Sequence, residues 1–179
     1  MSRYIIEEGE NLTGQELINK LDECFRQEIM EIKTEGFDNT ILVDSKHIIK
    51  VMKELKENPV FDFNYLMCQT GVDYPPDKFE IVYHLCSLEK KHRLCVKVSL
   101  SRENPSLASL CDIWKAAEWH EREIFDLFGV NFEGNPDMRR ILLPEDFTGH
   151  PLRKDFHSTE VLPSPDKKEL MKAKKGDSL

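Results

Sequence analysis

The run His120-Glu121-Arg122-Glu123 places an imidazole, two carboxylates and a guanidinium on consecutive residues. A second set follows at Arg139, Arg140, Glu145, His150, Arg153, Lys154 and Asp155. Side chains of these types can move protons. His120, His150, Asp155, Glu121 and Glu123 are the candidate acids and bases, and His150 with Asp155 or Glu145 could form a dyad. The spacing supports no more than that. No nucleophile elbow, phosphate-cradling glycine loop, dinucleotide fingerprint or H-E-x-x-H pattern occurs, and the His120 run lacks the second histidine that zinc would need. No residue is assigned a catalytic, metal-ligating or cofactor-binding role.

The cysteines point the same way. Cys24, Cys68, Cys86, Cys95 and Cys111 are scattered, with no C-x-x-C pair. Zinc and iron–sulfur sites need clustered thiolates, so these read as free thiols and the chain is expected to carry no electron carrier of its own.

On a helical wheel, Ile113, Trp114, Ala116, Ala117, Ile124, Phe125, Leu127 and Phe128 share one broad arc. Glu118, Arg122 and Asp126 run in i,i+4 steps along the opposite face, joining opposite charges. His120 and Glu121 break the pattern by falling inside the apolar arc. A carboxylate there is costly unless paired and hydrogen-bonded. The donors on offer are Arg139-Arg140 and Arg153-Lys154, and a guanidinium fork suits a partly buried carboxylate. The expectation is that the following segment folds back and clamps Glu121 with one of these arginines; the rival is that Glu121 and His120 face a partner protein. Trp119 lies on the polar side, either as an exposed interface anchor or covered by the following segment.

The elements that position these residues are legible in outline. Residues 13–34 read as a helix with a Thr13/Glu16 capping box, ended by Gly36. Residues 40–44 look like a strand. Ser45 caps a second helix with Ile48, Ile49, Met52 and Leu55 inward, ended at Asn58-Pro59. Phe61 to Cys68 fits a strand or a short helix, and Gly71 to Pro76 a turn. Phe79 to Leu88 and Leu94 to Leu100 form a hairpin with a charged, solvated tip. Residues 112–128 form a third helix, ended by Gly129.

Beyond Gly129 the composition changes: five of the nine prolines fall between Pro136 and Pro165. The organisation expected is a globular α+β domain over 1–129, an extended partner-docking arm over 130–165, and a mobile polar tail over 166–179. The arm holds too many large apolar residues for a simple disordered tail and cannot bury a core of its own, so it is expected to lie along another surface.

A chain of 179 residues suits one domain plus a tail, and a net charge of −8 argues against a nucleic-acid binder. No stretch approaches the ~20 apolar residues of a membrane span, and the first residues lack a signal-peptide apolar core. The chain is expected in the cytoplasm, meeting a membrane only through partners.

The run Trp119 to Gly129 is followed by Pro136-Asp137, Arg139-Arg140-Ile141-Leu142 and Gly149-His150-Pro151-Leu152-Arg153-Lys154-Asp155-Phe156. Together these resemble the signature of the C (thirty-kilodalton) subunit of respiratory complex I, the NADH:quinone oxidoreductase. The hairpin with Tyr83-His84-Leu85 and Ser87, and the stretch from Ser109 to Trp119, are also similar, so the likeness covers about residues 61–156. Asn135 stands where a histidine is expected, and His120 where an apolar residue is usual. The resemblance implies an α+β fold: helices packed on a small mixed sheet with an antiparallel hairpin, then an extended Pro/Gly-rich C-terminal arm. It implies a subunit that binds no cofactor and docks the large hydrogenase-like subunit, with iron–sulfur subunits beside it. Iron–sulfur clusters and quinone, or nickel–iron, would reside in those partners. Such a subunit sits peripherally on the cytoplasmic face of the membrane. Equivalent subunits occur in reduced-deazaflavin-dependent quinone reductases and in membrane-bound energy-converting hydrogenases. Trp119, Glu121, Arg122, Glu123, Asp126, Arg139, Arg140, His150, Arg153, Lys154 and Asp155 are the implied structural and docking residues. Two other classes compete: a free-standing enzyme and an adaptor or assembly protein.

Overall fold

A computed structural model describes residues 14–34, 36 and 38–157. The expected tail over 166–179, the last part of the arm and the Thr13 cap lie outside the described residues.

Helix α1 (Gly14–Phe25) turns Leu17, Ile18, Leu21 and Phe25 inward. It stops well short of the expected boundary at 34. The Glu28 N–H bonds the Phe25 carbonyl, and the chain reverses into strand β1 (Ile29–Lys33). No glycine or proline marks this break. Pairing of β1 with β2 (Thr40–Val43) overrides the helical periodicity.

Asp44, not Ser45, caps the next element: its carboxylate accepts from the Lys46 N–H and opens a 3-10 turn at Ser45–His47. Helix α2 (Ile48–Glu57) follows with Ile48, Val51, Met52 and Leu55 buried. Ile49, expected inward, is 39% exposed. Phe61 and Phe63 are fully buried in the connection to β3 (Tyr65–Tyr74). The expected turn at Gly71 is therefore mostly strand. The reversal falls at Pro75-Pro76, where the peptide bond is cis.

The hairpin is β4 (Lys78–Cys86) and β5 (Arg93–Ser101), in unbroken antiparallel register. The sheet order is β1-β2-β5-β4-β3, and β2 joins β5 in parallel, so the sheet is mixed as expected. Phe79, Ile81, Tyr83 and Leu85 alternate toward the core with Leu94, Val96, Val98 and Leu100 opposite. The helices cover that face.

A short strand β6 (Ser106–Ala108) leads through a turn to helix α3 (Ala117–Phe128). The expected helical stretch from 112 is this turn instead: the Ile113 and Trp114 N–H groups share the Leu110 carbonyl, and the Ala117 N–H bonds the Trp114 carbonyl three residues back. After Gly129, strand β7 (Asn131–Glu133) pairs in parallel with β6. Residues 135–156 then run back along α3 without regular structure.

Candidate docking site

Helix α3 lies between two layers. Ala117, Ile124 and Phe128 are buried in the core. The close approach to β3 depends on Gly71, where a Cβ would meet the Phe128 ring at 3.0 Å and Ile124 at 3.3 Å. On the other side, Arg122 and Asp126, which the wheel placed opposite the apolar arc, are buried under the returning segment.

Asp126 is the centre of that second layer. Its side chain has no exposure. Oδ1 accepts from Arg140 Nη1 at 2.7 Å, and Oδ2 accepts from the N–H groups of Ile141, Leu142 and Leu143 at 3.1, 2.8 and 2.9 Å. Burial pushes its carboxyl upward, but the three amides and the guanidinium outweigh burial and hold it below the usual range. Arg140 also donates through Nη2 to the carbonyls of Phe147 and Gly149.

The same segment caps the helix. The last four carbonyls of a helix lack intrahelical partners and must find others. Gly129 N–H bonds the Phe125 carbonyl at 2.8 Å. His150 Nδ1 donates to Asp126 O at 2.9 Å, the Leu152 N–H to Leu127 O at 3.1 Å, and Arg153 Nε to Phe128 O at 2.6 Å. Two cationic donors, Arg140 and Arg153, thus meet the negative end of the helix.

Glu121 is fully buried, as the wheel required, but no arginine clamps it. It accepts from Leu110 N–H at 2.8 Å, Ser109 Oγ at 2.7 Å, Asn135 Nδ2 at 2.9 Å and Cys111 Sγ at 3.3 Å. The turn before α3 and Asn135 reach the carboxylate first, and the arginines are occupied elsewhere. Burial, with Glu121 adding to it, pushes the Cys111 thiol up to about 11, so it stays protonated and donates.

The remaining predicted residues also have fixed places. Arg122 donates to the Arg139 carbonyl at 3.1 Å and sits 3.5 Å from Asp137, with its guanidinium over the Trp119 ring at 4.9 Å. Trp119 is 58% exposed, so the returning segment does not cover it. Arg139 grips Asp137 with two bonds of 2.7 Å on the surface. Asp155 pairs with Arg102 at 2.9 Å, so it forms no dyad with His150. The Lys154 N–H donates to Asp73 Oδ2 at 2.8 Å. Glu123 is exposed and His120 half-buried.

Sequence reasoning missed Asp73, Arg102 and Ser109 as members of this network, and saw Asn135 only as a departure. Asp73 is buried at the end of β3. Arg102 Nε lies 2.8 Å from Asp73 Oδ1 at too bent an angle for a hydrogen bond, which runs instead from Nη2 to Oδ2 at 3.1 Å. An Asp closing an otherwise uncharged strand was the available signal. Among the described residues no group of three His, Cys, Asp or Glu side chains is placed to hold a metal. None of the described helices is long and apolar enough to cross a membrane.

The fold recurs in solved structures. A trypsin-resistant fragment of Nqo5 matches with a TM-score of 0.60 and 31% identity, covering 68% of this chain and 98% of the fragment. A chain of the membrane-bound sulfane sulfur reductase, an archaeal respiratory membrane complex, matches with a TM-score of 0.70 and 28% identity, covering 90% of this chain and 91% of that one. The fold is thus one that a multisubunit respiratory membrane complex contains.

The model of the respiratory-chain NADH dehydrogenase 30 Kd subunit family matches residues 41–161, and the chain belongs to that family. The C subunit of the NADH-quinone oxidoreductase of Moorella thermoacetica is 49% identical over 124 residues, 68% of this chain and 82% of that protein. Its counterpart from Roseiflexus castenholzii is 46% identical over 120 residues, 66% of this chain and 69% of that protein.

Proposed function

We propose that this chain is a non-catalytic, cofactor-free accessory subunit of a complex I-type NADH:quinone oxidoreductase. It docks the large hydrogenase-like subunit in the electron-transfer arm, peripherally on the cytoplasmic face of the membrane. The observation that carries the docking role is Trp119: more than half exposed, yet held in place by the Arg122 guanidinium stacked on it. A pre-ordered Trp beside an Arg is the composition of an interface hot spot. The non-catalytic role is supported by the fate of the ionisable signature residues. Asp126, Arg140, His150 and Arg153 are spent on one another and on helix carbonyls, not aimed at a cleft.

A second reading is favoured by one observation. A chain of another membrane-bound respiratory complex, the sulfane sulfur reductase, shares the fold over 90% of this protein. On that reading the host is a related membrane-bound complex, such as an energy-converting hydrogenase or a deazaflavin-dependent reductase, and the subunit plays the same part.

The test is a detergent pull-down of the tagged chain from its native membranes, with mass spectrometry of what is recovered in fixed ratio. A hydrogenase-like large subunit with iron–sulfur and membrane subunits is the expected result, lost on Trp119→Ala while the isolated chain keeps its stability. An NADH-, deazaflavin- or hydrogen-reactive module names the host. Recovery of the chain alone refutes the reading.

A further inference from the structure

The two edges of the sheet are built differently. β1 is five residues long, carries a bulge between Ile29 and Glu31, and displays Glu31 and Lys33, paired at 3.2 Å. Short length, a bulge and charge all discourage a further strand from pairing. β3, at the other edge, is ten residues long, and from Tyr65 to Val72 no residue is charged. Its own bulge lies near one end, between Leu66 and Cys68, and Gln69 to Tyr74 keep unbroken register with β4. Beyond that ladder, no backbone N–H or C=O of residues 65–73 has a hydrogen-bond partner among the described residues. Tyr65 and Met67 are exposed beside it. A row of unpaired amides and carbonyls next to exposed apolar side chains is a template for another extended chain.

The surroundings say what that chain looks like. At one end, Lys78 and Lys154 hold their ammonium groups 5.5 and 5.8 Å from the centre of the Tyr74 ring.

We propose that β3 is a strand-addition site, which takes an extended segment of a partner polypeptide, apolar where it meets Tyr65 and Met67, as the sixth strand of the sheet. The segment carries an acidic group opposite the Lys154 ammonium; that of Lys78 is already paired with Glu80 at 2.7 Å. This rests on the accessory-subunit reading above and adds to it the element that binds and the form of the bound segment.

Amide hydrogen exchange over peptides covering residues 65–74 tests it, comparing the tagged chain alone with the complex isolated from native membranes. The outward amides are expected to exchange freely in the isolated chain and at least ~10-fold more slowly in the complex. Met67→Lys with Thr70→Lys, both exposed positions, is expected to leave the isolated fold intact by circular dichroism and to cut partner recovery ~10-fold, while Met67→Leu with Thr70→Val retains it. Partners recovered with residues 65–74 still exchanging freely would overturn the strand-addition site and leave the accessory-subunit reading standing. Recovery of no partner overturns both. Slow exchange in the isolated chain overturns the site as well: where it depends on concentration a second copy fills the edge, and where it does not the chain's own residues do.

Discussion

Asp126 Oδ1 lies 2.7 Å from Arg140 Nη1, joining the buried face of α3 to a segment fourteen residues further on. The pair does not stand alone. Three consecutive amides complete the carboxylate, and two carbonyls complete the guanidinium. This is the arrangement in which a buried ion pair recovers its desolvation cost.

Arg140 and Arg139 are neighbours with opposite fates. Arg140→Ala leaves Asp126 buried without its cation and is expected to cost about 3–5 kcal/mol in urea unfolding. Arg139→Ala removes a surface contact to Asp137 and is expected to leave the unfolding midpoint close to that of the parent. Equal effects of the two would show that the buried pair is not what holds the segment.

Stability is expected to fall in two steps as pH drops. Burial lowers the His92 pKa below its ordinary 6.5, partly offset by the bond from Nε2 to the Phe61 carbonyl at 2.6 Å. The fold therefore favours the neutral ring. The unfolded chain binds the proton first, and stability present above pH 6.5 is lost below it. The second step belongs to the carboxylates. Asp126 and Asp155 sit below the ordinary 3.8, and Arg139 with other donors holds Asp137 at about 2. The buried Asp126 carries most of this step: its contribution is full above 3.8 and is lost as pH falls below that value, and the surface pair of Asp137 adds little. Denaturant midpoints measured from pH 8 to pH 2 check both, and His92→Gln should abolish only the upper step.

Gly129 has φ of 72°, and a Cβ there would lie 2.5 Å from His150 Nε2. Gly129→Ala is expected to cost about 1–2 kcal/mol from the left-handed backbone, with the clash against the capping histidine added. Gly134→Ala makes the comparison. Its φ is 94°, but the nearest atom lies at 3.9 Å, so only the backbone cost applies. Thermal unfolding of the two variants should therefore separate them clearly.

Asn135 donates to the buried Glu121 carboxylate. Asn135→Ala removes one charge-assisted hydrogen bond and is expected to cost about 1.5–3 kcal/mol. Asn135→His, which restores the residue type expected from the family resemblance, keeps a donor at this place and should recover most of the loss. A histidine variant as unstable as the alanine one would mean that Asn135 acts through its own turn, where Oδ1 accepts from the Asp137 N–H.

The hairpin, the inward Glu121, the stop at Gly129 and the family are all legible in the order of the amino acids, because each rests on local features. Two strands of alternating apolar residues, a carboxylate inside an apolar arc and a glycine after the last helical turn are visible within a few positions. Which donor meets which acid was settled in three dimensions. Arg139 and Arg140 are adjacent and chemically identical, yet one reaches the buried Asp126 and the other a surface Asp137, because the path of the returning segment points them in opposite directions. The wheel could not show that α3 is covered on its polar side, since the cover comes from residues beyond the helix. The helix expected over residues 13–34 likewise gives way after Phe25, where pairing of β1 with β2 prevails. Asp73 gains its partners from Arg102 and Lys154, the latter 81 residues away, a distance over which no local pattern can act.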